Sequence, residues 1–497
     1  MILEKLFEKI PFAQIISRPQ INVSGVATDS NLVEAGDLFV PIVGDHYNGY
    51  KFISHALDKG AAAVAGDEIK SRKNHLACIY LPNAANHVPF LSAAVYGEPT
   101  KKLQVVGVTG TNGKTTTAHI IEALLRSAYD DRAGYIGTTA YRWAKSHQEA
   151  TYTTPPAPQL QRIFRKMVES GVHSVVLECS SHGIDQGRLN FTHLDVGVFT
   201  NLTSDHLDYH QNFVSYRNAK WKMFSELLIN SEKKDKFAIF NIDDSTGRSW
   251  AREDLPQVET ITYSVDHKSA AKVFPKSYEL AKNSIIAKIQ TPDHVLDIKS
   301  PMLGLFNLQN ILASVAVAHA LHLDMTKVQD VISQGVYVPG RLEKIVDTNQ
   351  FQVFIDYAHT EGALSRVLDV LQSMKEKKII TVFGCGGNAD MSKRPKMGEI
   401  AAQKSDVVIV TTENPRNEDP EKIMDDIFIG IDRAIFPSKG ILRISKREDA
   451  IAKALDMAQP GDIVLIAGKG HEVYQEIAGT RHSFEDRKIV KAWLKQK

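Results

Sequence analysis

A glycine-rich turn between an apolar strand pattern and a helical pattern constrains the fold of this chain most. The residues KKLQVVGVTG at 101–110 are typical of a buried strand that runs into the turn, and TTTAHIIEALLRSA at 115–128 has a helical pattern. Backbone N–H groups and the helix dipole favour a phosphate at such a junction. We therefore predict an α/β nucleotide-binding domain that begins near residue 101.

The turn itself, VTGTNGKTT at 108–116, has the residue types of a phosphate loop. Glycine allows close approach of the backbone, the lysine would reach the β and γ phosphates, and the next threonine would hold Mg²⁺. The common GxxxxGK[ST] form has glycine where this chain has Val108. The predicted nucleotide-binding residues are Gly110, Thr111, Asn112, Gly113, Lys114, Thr115 and Thr116. Kinases, GTPases, helicases and ligases all remain open on this evidence.

The chain of 497 residues is too long for one ordinary core, and its patterns divide it into three parts. Residues 1–100 have short apolar runs between Gly, Asp and Asn turn residues, which predicts a small α/β domain. Residues 101–335 alternate further apolar strands with helical segments, as in a parallel sheet covered by helices. Residues 336–497 begin at a Pro-Gly pair and repeat the α/β pattern as a second open sheet.

Composition excludes several classes of protein. Lys and Arg number 59 against 58 Asp and Glu, so the formal charge of +1 gives no electrostatic case for a nucleic acid or an acidic membrane surface. Charged residues interrupt the first apolar positions, and no stretch approaches the roughly 18 apolar residues of a membrane span. Scattered cysteines argue against a disulfide framework or a zinc site and favour a reducing cytoplasm. These cysteines are Cys78, Cys179 and Cys385.

Polar residues follow two strands of the central part. Glu178 ends the apolar run SVVLE, and His206 lies in TNLTSDHLDYH after the next strand. Ligands of open parallel sheets bind at the carboxyl edge, so both side chains could hold a divalent cation. An isolated histidine is more often a surface residue, but the run of Asp and His residues favours a site. Lys220 lies in the helical pattern YRNAKWKMF, and this pattern alone predicts a solvated lysine.

These segments together resemble the Mur ligases, and the resemblance covers nearly the whole chain. It is carried by DSNLVEAGDLFVPIVG (29–44), TGTNGKTTT (109–117), TTPP (153–156), ECSSHGIDQGRL (178–189), TNLTSDHLDYH (200–210), AKW (219–221), NIDD (241–244), LGLFNLQNILAS (303–314), PGRLE (339–343), DYAHT (356–360), FGCGG (383–387), ENPR (413–416) and AGKGHE (467–472). The resemblance implies three domains, with a central P-loop ATP-binding parallel sheet and a Rossmann-like carboxyl-terminal domain. It also implies an ATP-dependent amide-bond-forming ligase of peptidoglycan synthesis.

The resemblance implies roles for the residues around ATP. Lys220 matches a lysine that CO₂ converts to N6-carboxylysine, a carbamate that binds Mg²⁺ together with Thr115, Glu178 and His206. Asn307 and Asp356 match residues that contact adenine and ribose, and Arg341 matches an arginine that reaches the ATP phosphates. The implied catalytic residues are Lys114, Glu178, His206, Lys220 and Arg341.

The same resemblance implies the sites of the other two substrates. UDP-N-acetylmuramoyl-L-alanyl-D-glutamate would be held at its uridine end by Ser30 and His46. The residues implied for its muramoyl dipeptide and diphosphate are Thr153, Thr154, Ser181, Gln186 and Arg188. The residues implied for the incoming diamino acid are Glu413, Asn414, Arg416, Gly468 and Glu472. We expect a monomer that binds these small molecules and no nucleic acid.

The segment ENPR bears on which amino acid is added. Family members that add meso-diaminopimelate carry DNPR, in which the arginine pairs with the far carboxylate of that amino acid, and this chain keeps Arg416. Two differences weaken the match, since Glu413 replaces aspartate and Ala389 stands where an arginine meets the α-carboxylate. Arg394 is a nearby candidate to replace that arginine. We therefore predict diaminopimelate and keep L-lysine and L-ornithine as alternatives.

Two other functions remain open. A folylpolyglutamate or cyanophycin-type synthetase shares the phosphate loop, although DSNLVEAGDLFV, ENPR and GKGHE argue against it. A catalytically inactive nucleotide-binding scaffold of cell-wall synthesis would fit the altered stretch Gly387, Asn388, Ala389 and Asp390. The intact Lys114, Glu178, His206 and Lys220 argue against the scaffold.

Overall fold

The computed structural model describes residues 1–18, 20–44, 47–69, 77–347, 351–433 and 440–496. Three sheets of five, eight and six strands follow one another along the chain. Helices connect the strands of each sheet, so the fold is α/β, as predicted. Among the described residues, no helix is both long and apolar enough to cross a membrane.

The first sheet has the order β1-β7-β6-β3-β2, and all its pairs are parallel except β1 with β7. Its core is formed by aliphatic side chains of the strands and of the helices against them. The elements of this part are α1 (Leu3–Phe7), β1 (Gln14–Ile15), β2 (Gly25–Ala27), β3 (Asp37–Phe39), β4 (Val43–Gly44), β5 (Tyr47–Asn48), α2 (Ile53–Asp58), β6 (Ala63–Gly66), β7 (Ala77–Tyr80) and α3 (Ala84–Val95).

The central sheet has the order β11-β10-β9-β12-β8-β13-β14-β15 and is parallel from β9 to β15. Its elements are β8 (Gln104–Thr109), α4 (Lys114–Ala128), β9 (Ala133–Ile136), β10 (Tyr141–Trp143), β11 (Ser146–Gln148), α5 (Ala157–Glu169), β12 (Ser174–Glu178), α6 (Ser181–Asp185), β13 (Val196–Phe199), α7 (Leu207–His210), α8 (Phe213–Lys222), β14 (Phe237–Asn241), α9 (Ser245–Trp250), β15 (Glu259–Tyr263), β16 (Phe274–Ala281), β17 (Ser284–Gln290), β18 (Val295–Ser300), α10 (Leu305–Ala320) and α11 (Met325–Gln334). Because β8 lies between β12 and β13, the segments after all three strands meet at one edge.

Strands β16 to β18 form a separate antiparallel sheet that the sequence analysis did not anticipate. Buried and exposed residues alternate along β17 and β18, as expected of a sheet with one solvated face. The buried side chains join the same core as α4 and α10. This sheet therefore packs against the helices that cover the central sheet.

The third sheet has the order β19-β20-β24-β21-β22-β23, and only the pair of β19 with β20 is antiparallel. The segments DYAHT, FGCGG, ENPR and GKGHE begin at the carboxyl ends of β20, β21, β22 and β24 and so share one edge. The elements are β19 (Glu343–Asp347), β20 (Phe351–Asp356), α12 (Glu361–Met374), β21 (Ile379–Phe383), α13 (Lys393–Lys404), β22 (Val407–Val410), α14 (Pro420–Arg433), β23 (Gly440–Arg443), α15 (Arg447–Met457), β24 (Asp462–Ala467), β25 (Tyr474–Ile477), β26 (Thr480–Ser483) and α16 (Asp486–Leu494).

Candidate active site

The phosphate loop, residues 110–113, requires glycine at both of its glycine positions. Gly110 and Gly113 have φ angles of 144° and 87°. A Cβ atom would lie 1.9 Å from Thr200 Oγ1 at the first position and 2.6 Å from Asn310 Oδ1 at the second. Other residues would be strained in this backbone and would clash. The loop therefore has the tight geometry that its sequence predicts.

Lys114 lies over this loop at the start of α4. Its Nζ donates to Gly110 O at 2.8 Å and to Thr111 O at 2.9 Å. Burial lowers the pKa of the Lys114 ammonium, and the charge of Glu178 opposes this shift. The lysine therefore presents its ammonium group at the loop, where a phosphate would need a cation.

The segment after β13 holds the rest of the loop in place. Thr111 N–H donates to Asn201 O at 2.8 Å, and Asn112 N–H donates to Asn201 Oδ1 at 3.0 Å. Thr111 Oγ1 also donates to Thr203 O at 3.1 Å. Thr116 is buried in the first turn of α4. These bonds fix the loop before any ligand binds.

Glu178 is a fully buried carboxylate at the end of β12. Its Oε1 accepts from Tyr135 OH at 2.6 Å and from Thr138 N–H at 3.0 Å. Its Oε2 accepts from Thr138 Oγ1 at 3.1 Å and from Thr115 Oγ1 at 2.9 Å. Burial alone would raise the pKa of Glu178, but the Tyr135 hydrogen bond and the Lys114 charge lower it. Glu178 is therefore an ionised group beside the phosphate loop.

His206 precedes α7 with a left-handed φ of 54°. Burial lowers its pKa to about 3, although the neighbouring Asp205 opposes that shift. Its ring lies edge-on to His182 at a centroid distance of 5.0 Å. The imidazole is thus neutral near pH 7, which is the form that binds a metal ion.

Lys220 does not lie in solvent, as its helical pattern alone suggested, because it is only 1% exposed. Its Nζ donates to Gly110 O at 2.9 Å and lies 4.6 Å from the centroid of the Tyr216 ring. Burial, and secondly the charge of Lys114, hold its pKa well below the usual range. A neutral buried amine is the form that reacts with CO₂, so the surroundings of Lys220 fit the expected carbamate.

Arg341 reaches the phosphate loop from the turn before β19. Its Nη2 donates to Thr115 Oγ1 at 3.2 Å. Its guanidinium lies 4.6 Å from the centroid of the Tyr357 ring, and its buried Nε has no hydrogen-bond partner among the residues that the structure describes. A second cation therefore faces the loop from the third sheet's side of the cavity.

The side chains of the two residues expected near adenine and ribose form hydrogen bonds with the backbone. Asp356 Oδ1 accepts from Ala358 N–H at 2.7 Å, and its Oδ2 accepts from Leu342 N–H. Asn307 Nδ2 donates to Leu303 O at 2.9 Å. Asp356 lines a cavity between the central and third sheets, whereas Asn307 does not.

A cavity of about 470 Å³ lies between the central and third sheets. Predicted residues from the nucleotide, metal and dipeptide sets line it together. These are Thr111, Asn112, Gly113, Lys114, Thr115, Thr116, Thr153, Thr154, Ser181, Arg188, His206, Lys220, Arg341 and Asp356. Four other predicted residues of these sets do not line the cavity. They are Gly110, Glu178, Gln186 and Asn307.

The side of this cavity away from the phosphate loop carries the residues expected to hold the dipeptide. Thr154 Oγ1 donates to Glu178 O at 2.7 Å, and Arg188 Nη1 donates to Thr154 O at 2.7 Å. Arg188 Nε also donates to Gln186 Oε1 at 2.9 Å. Ser181 Oγ is buried, and within the described part of the chain it has no hydrogen-bond partner. That hydroxyl is available to a ligand.

A second cavity of about 960 Å³ lies between the first and central sheets. Ser30 lines it, and Ser30 Oγ lies 3.0 Å from His55 Nδ1. Tyr152 lines both cavities, so one elongated ligand can extend from one to the other. His46, the other residue expected at the uridine end, lies outside the described residues.

The five residues expected to bind the amino acid lie together at the edge of the third sheet. Glu413 is 7% exposed, and no hydrogen bond reaches its carboxylate oxygens from the described residues. A Cβ atom at Gly468 would lie 3.5 Å from Glu413 Cδ. Asn414 Nδ2 donates to Glu472 Oε2 at 2.8 Å. Burial raises the pKa of Glu413, with the Glu472 charge acting in the same direction. Glu413 is thus a buried carboxylate beside a second carboxylate, Glu472.

Arg416 is available to a ligand, whereas Arg394 is not. Arg416 is 39% exposed in its side chain, and one nitrogen donates to Gly387 O at 2.7 Å. Arg394 is 1% exposed and donates to Glu418 at 2.8 Å and Asp426 at 2.9 Å. The expectation that Arg394 replaces the missing arginine is therefore wrong, because its charge is already neutralised inside the domain.

Sequence reasoning missed the residues that support this site. Tyr135 and Thr138 orient Glu178, and Lys469 donates to Asn414 Oδ1 at 3.0 Å and Glu472 Oε2 at 2.8 Å. Thr138 follows the apolar run of β9, so the same strand-end argument could have found it.

Comparisons with known proteins agree with this geometry. The chain matches the models "Mur ligase family, catalytic domain" at residues 22–99, "Mur ligase middle domain" at 108–318 and "Mur ligase, glutamate ligase domain" at 340–470. It is 36% identical to UDP-N-acetylmuramoyl-L-alanyl-D-glutamate–2,6-diaminopimelate ligase of Geobacillus thermodenitrificans over 100% of both chains. It is 40% identical to the ligase of that name from Trichormus variabilis, over 96% of this chain and 95% of that one. A solved structure with this ligase name matches with a TM-score of 0.67 and 32% identity, over 99% and 98% of the chains.

Proposed function

The chain belongs to the Mur ligase family, and from this membership we propose that it joins meso-2,6-diaminopimelate to UDP-N-acetylmuramoyl-L-alanyl-D-glutamate with the use of ATP. Relatives that match over their full length are named for this reaction. The product is a UDP-linked muramoyl tripeptide, a precursor of peptidoglycan.

One observation carries the proposal most directly. The 470 Å³ cavity is lined at one end by the phosphate loop and Arg341, and at the other by Thr154, Ser181 and Arg188. A nucleoside triphosphate and the carboxylate of the UDP-linked dipeptide would therefore meet inside one cavity. An ATP-dependent ligase needs this arrangement, because the carboxylate must reach the γ-phosphate.

The residues present suit an acyl-phosphate route. A carboxylate oxygen of the bound dipeptide attacks the γ-phosphorus of ATP, and ADP leaves. The amine of the incoming amino acid then attacks the acyl carbon, loses a proton, and phosphate leaves with its bonding electrons. Lys114 and Arg341 would neutralise negative charge on the transferred group, which is the main contribution of a protein to this chemistry.

The donor set fits Mg²⁺. The pKa of Glu178 is lowered, that of His206 is lowered to about 3, and burial holds the pKa of Lys220 well below its usual range, which favours the neutral amine that carbamate formation needs. We propose that these three residues and the Thr115 hydroxyl hold the metal. Glu178, the Lys220 carbamate and Thr115 would offer the oxygen ligands that Mg²⁺ prefers, and His206 would add one ring nitrogen. When bound, Mg²⁺ would supply positive charge to the phosphates.

Diaminopimelate is proposed as the acceptor on the basis of Arg416. Its Nη1 is bonded to Gly387 O, and half-exposure of the side chain leaves the rest of the fork open to a carboxylate. A planar guanidinium binds a carboxylate in two places. The far end of diaminopimelate carries a carboxylate, whereas lysine and ornithine carry no carboxylate there.

We propose the domain boundaries 1–100, 101–335 and 336–497, which the separate sheets support. The substrates are cytoplasmic nucleotides, and the three cysteines are buried and not joined in disulfides. A cytoplasmic location is therefore part of the proposal.

The test is phosphate release with ATP, Mg²⁺ and the UDP-linked dipeptide, measured separately with meso-diaminopimelate, L-lysine and L-ornithine, with the product mass checked. Turnover that requires the dipeptide and prefers diaminopimelate is the expected result. Preference for lysine or ornithine would overturn the choice of acceptor. Release without the UDP-linked dipeptide but with a folate substrate would favour a folylpolyglutamate-type synthetase, and nucleotide binding without turnover would favour an inactive scaffold.

A further inference from the structure

The incoming amino acid needs a cation between the ATP cavity and the cluster formed by Glu413, Asn414 and Glu472. Its α-amine attacks the acyl carbon inside the cavity, and its α-carboxylate is attached to the same carbon atom as this amine. We propose that Lys393 binds the α-carboxylate, an inference that rests on the ligase function proposed above. Lys393 would thus fix the orientation of the attacking amine.

The first argument is that other cations near the cluster are already neutralised. Each is fully buried and lies within 3 Å of a carboxylate oxygen of its own domain. These cations and their partners are Arg394 with Glu418 and Asp426, Arg447 with Asp486, and Lys469 with Glu472. Moving any of them toward a substrate would break an existing ion pair, and moving Arg447 would leave the fully buried Asp486 without its counter-ion, which is strongly unfavourable.

The second argument is that Lys393 itself has no such partner. It is half-buried at the first residue of α13, and no hydrogen bond or ion pair joins its ammonium to the residues that the structure describes. A positive charge at a helix N-terminus is repelled by the helix dipole. Lys393 therefore does not stabilise its own helix, and its charge is free to bind an anion.

The third argument is position. The Lys393 charge acts on His359, which lines the ATP cavity, and on Glu413 in the amino-acid cluster. Burial, and secondly the charge of Lys393, lower the pKa of His359 to about 4. Burial raises the pKa of Glu413, and both Lys469 and Lys393 oppose that rise.

The contacts of the neighbouring residues agree with this position. Arg394 Nη2 donates to Gly386 O at 3.4 Å, and a Cβ atom at Gly386 would lie 3.9 Å from Glu413 Oε1. Lys396, one turn further along α13, lies 3.6 Å from Glu361, two residues after His359. The first turn of α13 therefore lies beside both the amino-acid cluster and the segment that carries His359.

The loop next to the cluster offers no replacement. Residues 386–390 read Gly, Gly, Asn, Ala and Asp and contain no cation. Arg416 lies in the segment after the neighbouring parallel strand β22 and donates to Gly387 O at 2.7 Å, and we assign it to the far carboxylate. Lys393 is therefore the cation that we assign to the α-carboxylate of the amino acid.

The experiment compares Lys393→Met with Lys396→Met in the full chain. Lys396 lies on the same helix, is 58% exposed and lies 3.6 Å from Glu361, so it is a matched control. Lys393→Met should raise KM for the acceptor amino acid by about ten-fold to a hundred-fold, the range for a lost charged hydrogen bond. KM for ATP and for the UDP-linked dipeptide should stay unchanged, as should all constants of Lys396→Met.

A second measurement replaces the acceptor by its α-amide, which lacks the α-carboxylate. The unmodified chain should discriminate against the amide, and Lys393→Met should discriminate much less. An unchanged acceptor KM, or unchanged discrimination, in an active Lys393→Met would overturn the role of Lys393 and leave the ligase function standing. If the unmodified chain has no turnover with any acceptor, the ligase function fails and this inference fails with it.

Discussion

A hydrogen bond of 3.2 Å runs from Arg341 Nη2, in the turn before β19, to Thr115 Oγ1, in the first turn of α4. The bond brings the Arg341 guanidinium to the first turn of α4, the helix that follows the phosphate loop. We predict that Arg341→Ala lowers kcat about 100-fold to 1000-fold, as expected when one preorganised donor to the reacting phosphate is removed. Steady-state phosphate release will measure this.

Two companion variants separate charge from geometry at this contact. Arg341→Lys keeps the charge but loses the planar fork, so we expect intermediate activity. Lys114→Ala removes the other cation at the loop and should be nearly inactive while still folded. Turnover within a few-fold of the unmodified chain in Arg341→Ala would exclude a role for this arginine at the phosphates.

The buried amine of Lys220 predicts a chemical modification. Its pKa is held well below the usual range by burial, so the free amine can attack CO₂ and release a proton to form a carbamate. We expect a carbamate carbonyl resonance after incubation with ¹³C-bicarbonate. Lys220→Arg should lack the resonance and most of the activity, whereas Lys222→Arg, an exposed neighbour paired with Asp185, should keep both. The same resonance in Lys220→Arg would rule this assignment out.

A buried ion pair supports the amino-acid cluster. Arg447 Nε and Nη2 donate to the two oxygens of Asp486 at 2.8 and 2.7 Å, and both side chains are essentially unexposed. Asp486→Asn leaves the arginine charge buried without its counter-ion, so we expect a loss of about 3 to 5 kcal/mol in the free energy of unfolding. Urea denaturation will measure it. Lys446→Ala, an exposed neighbour, should change stability by less than about 0.5 kcal/mol, and equal effects would contradict the assignment.

Two buried histidines predict acid sensitivity. Burial lowers the pKa of His359 and of His471 to about 4, whereas an unfolded histidine has a pKa of about 6.5. Between these values the unfolded chain binds more protons, so stability falls as pH falls from 6.5 to 4, by up to about 1.4 kcal/mol per pH unit for each histidine.

Urea-unfolding midpoints measured across this pH window will show the dependence. His359→Gln and His471→Gln should each flatten it, and the exposed His267→Gln should not. An identical slope in all three variants would show that other groups cause the acid sensitivity.

Local patterns predicted much of the fold and of the candidate site. The strand before the phosphate loop, the glycines within it and the carboxylate of Glu178 at a strand end follow from periodicity and turn chemistry, which need only neighbouring residues. The antiparallel sheet β16 to β18 was missed, although its alternation of buried and exposed residues is visible in the sequence.

Long-range partners could not be predicted in this way. Lys220 is buried because the carbonyl of Gly110, distant in sequence, accepts from its Nζ. The sequence does not show that Arg394 is paired. Its guanidinium donates to Glu418 and Asp426, which lie 24 and 32 residues further along the chain. Such pairings depend on which strand ends meet, and a helical pattern contains no information about this.

The choice of acceptor gives the last prediction. Arg416 Nη1 is bonded to Gly387 O at 2.7 Å, and its Nε lies 3.9 Å from Glu476, so its charge is only partly compensated. Loss of a guanidinium–carboxylate contact weakens binding of the acceptor that has the extra carboxylate. We therefore expect Arg416→Ala to lower kcat/KM for diaminopimelate by about ten-fold to a hundred-fold. The value for lysine should stay the same or rise, because a repelling charge has been removed.

Competition between diaminopimelate and lysine in one reaction, with products separated by mass, measures this preference directly. Arg481→Ala is the control, because Arg481 lies 4.2 Å from the centroid of the Tyr474 ring and belongs to the nearby exposed hairpin. If Arg416→Ala reduces both reactions equally, the arginine supports the loop through Gly387 and does not select the acceptor. If kcat/KM falls only for diaminopimelate, Arg416 binds the far carboxylate of that amino acid. The selection of diaminopimelate then persists although Glu413 and Ala389 differ from the usual family residues.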